Sequence, residues 1–264
     1  MTVPVTLLVA AAALAIIFAG IYLLCRWLDN YGFVDVAWSY AFAGLAAYYC
    51  LAVPGWPVRR ALLGAMACLW SLRLGTHLLR RVAGHHPTED GRYQQLRTDW
   101  AGNFHLKMFG FFQLQAVSVL LLGLPFLLIS RHTAAQFTPL EIAGAALWLM
   151  ALTCEALADA QLAAFKRDPA NRGKVCHAGL WRYSRHPNYF FEWLIWVAYF
   201  VVALAAPWGW LAILSPAGIL YLLLRVTGIP MAEAQSLRSK PDAYRRYQQT
   251  TRAFVPWFPR KPTA

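Results

Sequence analysis

Long stretches without a charged side chain alternate with short polar stretches along this chain of 264 residues. The first stretch, residues 3–25, exceeds the roughly 20 residues that cross a hydrocarbon core of about 30 Å. Six further apolar stretches follow, so the pattern predicts seven spanning helices. They lie at residues 3–25, 33–53, 61–79, 108–129, 140–158, 189–206 and 208–224. The sequence therefore predicts an all-α fold, an integral membrane bundle of seven transmembrane helices.

The two ends of the chain differ in character. A cleaved signal peptide is an alternative for residues 3–25, but no cation precedes them, and the stretch is longer than an h-region of about 7–15 residues. We expect it to remain as the first span. Residues 225–264 mix charged and aromatic side chains and predict a cytosolic, amphipathic C-terminal cap. With no repeat or linker, residues 1–264 are expected to form a single membrane domain.

Composition and charge support this picture. Hydrophobic residues make up 59% of the chain and charged residues 14%, which excludes a typical soluble domain. A net charge of +12 excludes an acidic scaffold. Most cations lie in the first, third and fifth predicted loops and in the tail, whereas only Arg59, Arg60 and Arg131 lie on the other side. The positive-inside rule then places the N-terminus outside and the C-terminus in the cytosol, as in a bacterial inner membrane.

Several common site motifs are absent from the sequence. None of the 17 glycines has another glycine two positions away, so the Gly-x-Gly-x-x-Gly nucleotide turn is missing. Neither a Walker loop nor a His-Glu-x-x-His pair is present, and the five cysteines include no Cys-x-x-Cys. We expect no metal and no nucleic-acid partner.

Acidic residues within predicted spans are costly and usually functional. Glu155, Asp159 and Lys166 fall within about 40° of one helical stripe. They could form a structural Glu–Lys ladder, or they could contact a ligand, with Asp159 accepting from sugar or amide groups and Lys166 meeting a phosphate.

The densest polar constellation is Gly-Leu-Trp-Arg-Tyr-Ser-Arg-His-Pro-Asn-Tyr-Phe-Phe-Glu at residues 179–192. Pro187 favours the first turn of a helix. Arg182, Arg185 and His186 would then surround its positive N-terminal end and form an anion site. Asn188 and Glu192 are four residues apart on one helix face, so both side chains could form hydrogen bonds with an amide group of a ligand. Arginines that only touch lipid phosphates are the alternative.

Asp35 lies about one turn inside the second predicted span, with Trp38 one turn further along. A carboxyl group buried in apolar surroundings has a raised pKa and could donate a hydrogen bond to a carbonyl. An ion pair with Arg73 or Arg26 is the alternative. Either arrangement makes Asp35 a candidate site residue.

The 179–192 segment resembles the membrane steroid 5-alpha-reductase family, including its bacterial members. Pro-Asp-Ala-Tyr-Arg-Arg-Tyr at 241–247 and Pro-Trp-Phe-Pro at 256–259 are similar to the C-terminal pattern of that family, and the resemblance covers about residues 155–259. It implies a seven-helix enzyme that binds NADPH from the cytosol and reduces the 4,5 double bond of a 3-oxo-4-ene steroid or similar enone lipid.

The same resemblance implies roles for individual residues. Asp35 is the expected catalytic acid and Trp38 lines the steroid slot. The family uses a Gln-Glu pair in the second helix and a Tyr in the third, where this chain reads Val34-Asp35 and Trp70. The expected cofactor contacts are Arg73, Asp159, Lys166, Lys174, Arg182, Arg185, His186, Asn188, Tyr189, Glu192, Arg225, Tyr244 and Tyr247.

Two other functions fit part of the pattern. Isoprenylcysteine carboxyl methyltransferases, which bind S-adenosylmethionine, also carry an Arg-His-Pro-x-Tyr segment and a cytosolic tail. Their motif usually continues with Gly two residues after the Tyr and pairs acidic residues in the tail, whereas this chain has Phe191 and a lone Glu233. A lipid-binding scaffold would explain the cations. It leaves Asp35, Asp159 and Asn188 unexplained.

Overall fold

A computed structural model describes residues 2–260, and their regular secondary structure is entirely helical, with no strand in that range. The chain divides into two compact units. The first contains the chain as far as Phe137 together with residues 205–211, and the second contains Thr138–Leu204 and the chain from Ala212 onward. The predicted all-α class is confirmed.

Within the described residues, the first unit has six α-helices, which are joined by short turns and a 3₁₀ turn. They are α1 (Val3–Trp27), α2 (Phe33–Ala52), α3 (Pro57–His85), α4 (Gly91–Asp99), α5 (Phe104–Leu122) and α6 (Leu124–Arg131). Of these, α1 packs against α2 and α5, while α2 and α3 form the most extensive pair. The helix break between α5 and α6 falls at Gly123, two residues before Pro125.

Close packing of α2 on α3 depends on small and polar side chains. A Cβ atom at Gly75 would lie 2.6 Å from the ring of Tyr40, so only glycine fits there. The Tyr40 hydroxyl lies 3.0 Å from Thr76 Oγ1, and Ser71 donates to the carbonyl of Ser39 at 2.5 Å. In a membrane, where apolar burial alone gives little association energy, such contacts hold helices together.

The second unit, as far as residue 260, has five α-helices. They are α7 (Pro139–Arg167), α8 (Pro187–Ala203), α9 (Leu214–Tyr221), α10 (Ile229–Ser239) and α11 (Pro241–Thr250). The α7–α8 pair forms its centre, with Gly144 of α7 packed against Val202 of α8. One 3₁₀ turn covers Gly179–Arg182, and a π-helical turn covers Leu222–Val226.

Prolines and caps explain where these helices begin. Pro139 stands at the start of α7, after Thr138, and Thr138 forms a capping box with Glu141. Such a cap stabilises a helix by about 1 kcal/mol. Pro187 stands at the start of α8, as the sequence predicted, because its missing N–H costs nothing in the first turn. Pro241 starts α11 in the same way.

Helices occupy all seven predicted span positions, but among residues 2–260 five segments are long and apolar enough to cross a membrane. They are Val3–Trp27, Pro57–His85, Ala101–Arg131, Pro139–Arg167 and Gly209–Ser239. These helices make the chain an all-α membrane protein, and the count of seven spans remains a prediction. The last segment runs past the predicted end at residue 224 and is interrupted by the π turn and by Gly228.

Candidate functional site

A polar cluster in the first unit is centred on Asp35, which lies in the first turn of α2. Arg92 approaches its Oδ2 atom to 2.5 Å, and the Tyr93 hydroxyl donates to its Oδ1 atom at 2.9 Å. Asp90 caps α4 and accepts from Arg92 through both the backbone N–H and the side chain. The beginning of α4 is therefore fastened to the beginning of α2.

Charge and burial tune the groups around Asp35. Burial is the largest influence on the pKa of the Arg92 guanidinium and lowers it, but Asp35, Tyr93 and Asp90 together outweigh burial, so the net pKa is raised. Burial, and then the Asp35 charge, raise the pKa of Tyr93 well above its usual value. Tyr93 thus remains a neutral hydroxyl, able to donate, beside an ion-paired carboxylate.

A second ion-pair group reinforces the same junction. Glu89 is buried and accepts from the backbone N–H of Tyr31 at 2.6 Å and from Arg97 at 2.7 Å. Arg97 also meets Asp29 at 2.7 Å, and its guanidinium lies 4.9 Å from the centre of the Tyr31 ring. Because a buried carboxylate is costly without partners, these contacts hold the turn before α4 in one conformation.

The structure changes the interpretation of Asp35. The predicted partners were Arg73 or Arg26, or no cation at all, whereas the observed partner is Arg92. Asp35 therefore accepts two hydrogen bonds instead of sitting as an isolated acid in apolar surroundings. Arg73 lies half-buried on α3. Trp38 lies one turn beyond Asp35, donates to Ser118 at 2.9 Å and packs edge-on against Phe42.

Sequence reasoning missed Tyr93. The position aligned with the family's tyrosine is Trp70, which is fully buried against Phe42 and carries no hydroxyl. Tyr93 supplies a hydroxyl to Asp35 from α4, a short helix outside the predicted spans. Because 58 residues separate Asp35 from Tyr93, no local spacing could have paired them.

In the second unit, the 179–192 segment is tied to the C-terminal helices through Glu233. The Glu233 carboxylate accepts from Arg185 at 2.6 Å, from His186 at 3.3 Å and from Tyr244 at 3.3 Å. Gln248 donates to its other oxygen at 2.8 Å. Arg185 also donates to the carbonyl of Thr251. Arg185, His186 and Tyr244, three of the predicted cofactor contacts, therefore hold the tail on the unit.

Two more contacts fasten the same tail. The Tyr247 hydroxyl donates to the carbonyls of Trp181 and Ser184. Ser184 Oγ in turn donates to the carbonyls of Ala253 and Phe254 at 3.2 and 2.8 Å. Burial raises the pKa values of Tyr244 and Tyr247, so both hydroxyls remain neutral and keep these bonds at ordinary pH. These bonds hold residues 253–254 and α11 against the 181–184 segment within this unit.

A cleft of about 920 Å³ opens between residues 173–182 and α11. Its cationic side chains belong to Lys174, Arg182 and Arg246, and the lining residues that the structure describes include no carboxylate. All three side chains belong to exposed residues. The cleft falls within the range of about 300–1,000 Å³ that is common for small-molecule sites, and its charge suits an anion.

The wall of this cleft is held in shape by α7. Gly179 has a positive φ of +60° and lies against the amide of Gln161, whose oxygen accepts from the backbone N–H of Leu180. The Trp181 indole donates to the carbonyl of Ala158 at 2.9 Å. The 179–182 turn is therefore attached to α7 at Ala158 and Gln161, the positions that flank Asp159 in the sequence.

Asp159 accepts from the side-chain amide of Asn188 at 3.1 Å. The Asn188 Oδ1 atom is buried and has no hydrogen-bond partner. Glu192, one turn along α8, is buried and accepts from Trp196 at 3.0 Å. A carbonyl oxygen left open beside a carboxylate can accept from a ligand N–H group.

The remaining predicted contacts are more dispersed. Tyr189 stacks on the His186 ring at 5.4 Å. Lys166 and Arg225 are exposed, on α7 and on the π turn respectively. Within residues 2–260, no group of three His, Cys, Asp or Glu could hold a metal ion. The structure adds Arg246 and Glu233 to the candidate residues, because their importance depends on contacts between distant segments.

Comparison with known proteins finds a similar curated protein and a matching family model. The chain is 26% identical over 266 residues to a protein of Schizosaccharomyces pombe (strain 972 / ATCC 24843), "Uncharacterized protein C594.04c". The alignment covers 87% of this chain and 74% of the yeast protein. No solved structure matches the chain significantly. A family model, described as "Protein of unknown function (DUF1295)", matches residues 21–251, and this chain therefore belongs to the DUF1295 family.

Proposed function

We propose that this protein is an NADPH-dependent membrane reductase that reduces the carbon–carbon double bond of an enone lipid, such as a 3-oxo-4-ene steroid. The cleft bounded by Lys174, Arg182 and Arg246 is the observation that carries the proposal. It supplies a cationic binding site in a chain whose sequence has no glycine-rich nucleotide turn. The resemblance of residues 155–259 to steroid 5-alpha-reductases supports the same reaction class.

The phosphate groups of NADPH suit this cleft. Arginine and lysine bind phosphate oxygens through charge-assisted hydrogen bonds, and arginine is the usual partner of a 2′-phosphate. No lining carboxylate among the described residues opposes an anion. Lys174, Arg182 and Arg246 would therefore hold the diphosphate and the 2′-phosphate. Lys166 and Arg225 remain predicted contacts of the same kind.

The nicotinamide end needs groups that recognise a carboxamide. Asn188 offers a buried carbonyl oxygen with an open acceptor position, and its N–H is already oriented by Asp159. Glu192, on the same face of α8, offers a second acceptor. Together these side chains would bind the carboxamide and orient the ring, which lowers the entropic cost of reaching a reactive geometry.

NADPH would supply the hydride that adds to the β carbon of the enone. Negative charge then develops on the substrate's carbonyl oxygen, and a hydrogen-bond donor there lowers the barrier. We assign that donor role to Tyr93, a neutral hydroxyl of the first unit. Arg92 keeps the Asp35 carboxylate paired meanwhile. Trp38 would contact the apolar body of the lipid, and water would return a proton to the α carbon.

The proposal includes an orientation. The cationic loops and the tail would face the cytosol, with the N-terminus outside, because NADPH is a cytosolic cofactor and short cytosolic loops carry the excess of Lys and Arg. A bacterial inner membrane is the proposed location.

Thermal unfolding of the purified full-length chain tests the cofactor. A ligand that binds the folded state raises the melting temperature with its concentration. We expect NADPH to raise it more than NADH does, because only NADPH carries the 2′-phosphate, and S-adenosylmethionine to have no effect. Stabilisation by S-adenosylmethionine alone would instead favour a carboxyl methyltransferase. Consumption of NADPH with a 3-oxo-4-ene steroid, with the product identified by mass spectrometry, tests the reaction.

A further inference from the structure

The C-terminal segment of the second unit presents apolar side chains to the outside. Trp257 is 57% exposed, Phe258 is 74% exposed and Val255 is 48% exposed. These residues follow the polar helix α11 and lie outside the candidate spans. Large exposed aromatic side chains on a polar element need a partner, since soluble surfaces rarely carry them together.

The segment is held rigidly in this conformation. The backbone N–H of Trp257 donates to the carbonyl of Tyr183 at 2.8 Å, and that of Arg260 donates to the carbonyl of Thr250 at 2.8 Å. Phe254 points inward, with its ring 5.5 Å from that of Phe190. The backbone is therefore fixed, and the outward direction of Trp257 and Phe258 does not come from a loose chain end.

A small cationic pocket of about 260 Å³ adjoins these side chains, and Arg185, Arg252 and Arg260 contribute its charges. Arg185 is already paired with Glu233. Arg252 and Arg260 are exposed and have no acidic partner among residues 2–260. The Arg252 guanidinium lies 5.4 Å from the centre of the Trp257 ring, so a positive charge and an exposed indole share one surface.

We propose that Val255, Trp257, Phe258, Arg252 and Arg260 form a binding surface for the head group of an anionic phospholipid. Trp and Phe side chains favour the boundary between head groups and acyl chains. Arginines beside them would meet the phosphate, and each cation near an anionic membrane surface contributes about fivefold in affinity. The surface would fasten the tail of the second unit to the bilayer.

Lipid nanodiscs containing the full chain test the charged part of this proposal. We expect phosphatidylglycerol, added to phosphatidylcholine nanodiscs, to raise the melting temperature. The double variant R252Q/R260Q should lose most of that increase. The matched variant R238Q/R245Q removes the same charge from exposed positions on α10 and α11 and should keep it. Equal losses in both variants would overturn the proposal, because general surface charge would then explain the effect.

A second measurement tests the apolar part without changing the charges. A benzophenone amino acid at position 258 should cross-link to phospholipid on illumination, whereas the same group at position 245 should not. Cross-linking of position 258 to protein only would overturn the proposal. Inorganic phosphate is the last control: if it stabilises the chain in neutral nanodiscs as much as phosphatidylglycerol does, the pocket binds a soluble anion and not a lipid. None of these readouts depends on NADPH or on turnover.

Discussion

The hydroxyl group of Tyr93 donates a hydrogen bond to the carboxylate of Asp35 across 2.9 Å, although 58 residues separate them in the chain. Arg92, next to Tyr93, forms an ion pair with the same carboxylate. One aspartate thereby organises both a neutral donor and a fixed cation. This arrangement allows the roles of the hydroxyl and of the charge to be separated by substitution.

Tyr93→Phe should remove turnover while leaving the fold and the affinity for NADPH nearly intact. Loss of a hydrogen-bond donor to a developing oxyanion costs roughly a hundredfold or more in kcat. Steady-state kinetics with NADPH and an enone lipid measure this loss. Tyr49→Phe is a suitable control, because it removes another buried hydroxyl from the same unit, one without a hydrogen-bond partner. Full activity of Tyr93→Phe would exclude Tyr93 as the donor.

Asp35→Asn should impair both turnover and stability. Arg92 would lose its closest counter-charge, and the unfolding free energy should fall by about 1 to 3 kcal/mol. Thermal unfolding measures the loss of stability, and a binding titration should show unchanged affinity for NADPH. Asp90→Asn also removes a carboxylate that Arg92 contacts but keeps the Asp35–Tyr93 bond, so it should retain turnover. Weakened NADPH binding with normal turnover in Asp35→Asn would contradict the assignment.

Arg246→Gln should weaken NADPH binding about tenfold, because a charged hydrogen bond to a phosphate contributes roughly 1.5 kcal/mol or more. Arg245 offers a closely matched control: it is adjacent, exposed and equally charged, but it does not line the cleft. Isothermal titration or NADPH fluorescence can compare the two variants. Equal weakening in both would mean that overall charge, and not the cleft, attracts the cofactor.

Gly179→Ala should destabilise the second unit more than Gly173→Ala does. Both glycines have positive φ values, +60° and +79°, where an alanine costs about 1 to 2 kcal/mol. At Gly179 the new Cβ would also lie 2.5 Å from the Gln161 amide, whereas Gly173 faces open space. Melting temperatures of the two variants measure the difference. Similar values would show that Gln161 moves away freely.

The contribution of Asp90 to the free energy of unfolding should be constant at neutral pH and should change only at acidic pH. Burial raises the pKa of Asp90. The charge of Arg92 and the hydrogen bond from its backbone N–H lower that pKa by more, so the net pKa lies below the usual 3.8. The stabilisation is therefore complete above pH 3.8 and is lost as the pH falls through the lower, folded value. Melting temperatures of the wild type and Asp90→Asn should differ by a constant amount at neutral pH and converge in acid. Convergence already near pH 6 would implicate another group.

Much of the helical framework could be predicted from the sequence, because each span depends on local apolar length. Pro187 marked the start of α8 for an equally local reason. The seventh predicted span was harder, since the π turn at Leu222–Val226 and the break at Gly228 arise from backbone contacts that no hydropathy average contains.

The candidate site could be predicted only in part. Asp159 and Asn188 were both recognised as polar residues near the ends of apolar helices, and the structure joins them by a hydrogen bond. The sequence did not indicate Arg92, Tyr93 or Glu233 as site residues. Each of them contacts a residue at least 47 positions away, and local spacing does not show such contacts. Arg185 and Tyr244, both predicted as cofactor contacts, also bind Glu233, a partner that local spacing could not indicate.

The bond from Ser184 to Phe254 has a consequence for biosynthesis. Its two ends are 70 residues apart, and the intervening chain includes α8 to α11. A ribosome adding about 5 to 20 residues each second would take several seconds to complete that interval. During this time α8 can form while the 181–186 turn still lacks its final partners. Release of the nascent chain before residue 254 should therefore leave this turn accessible to proteases.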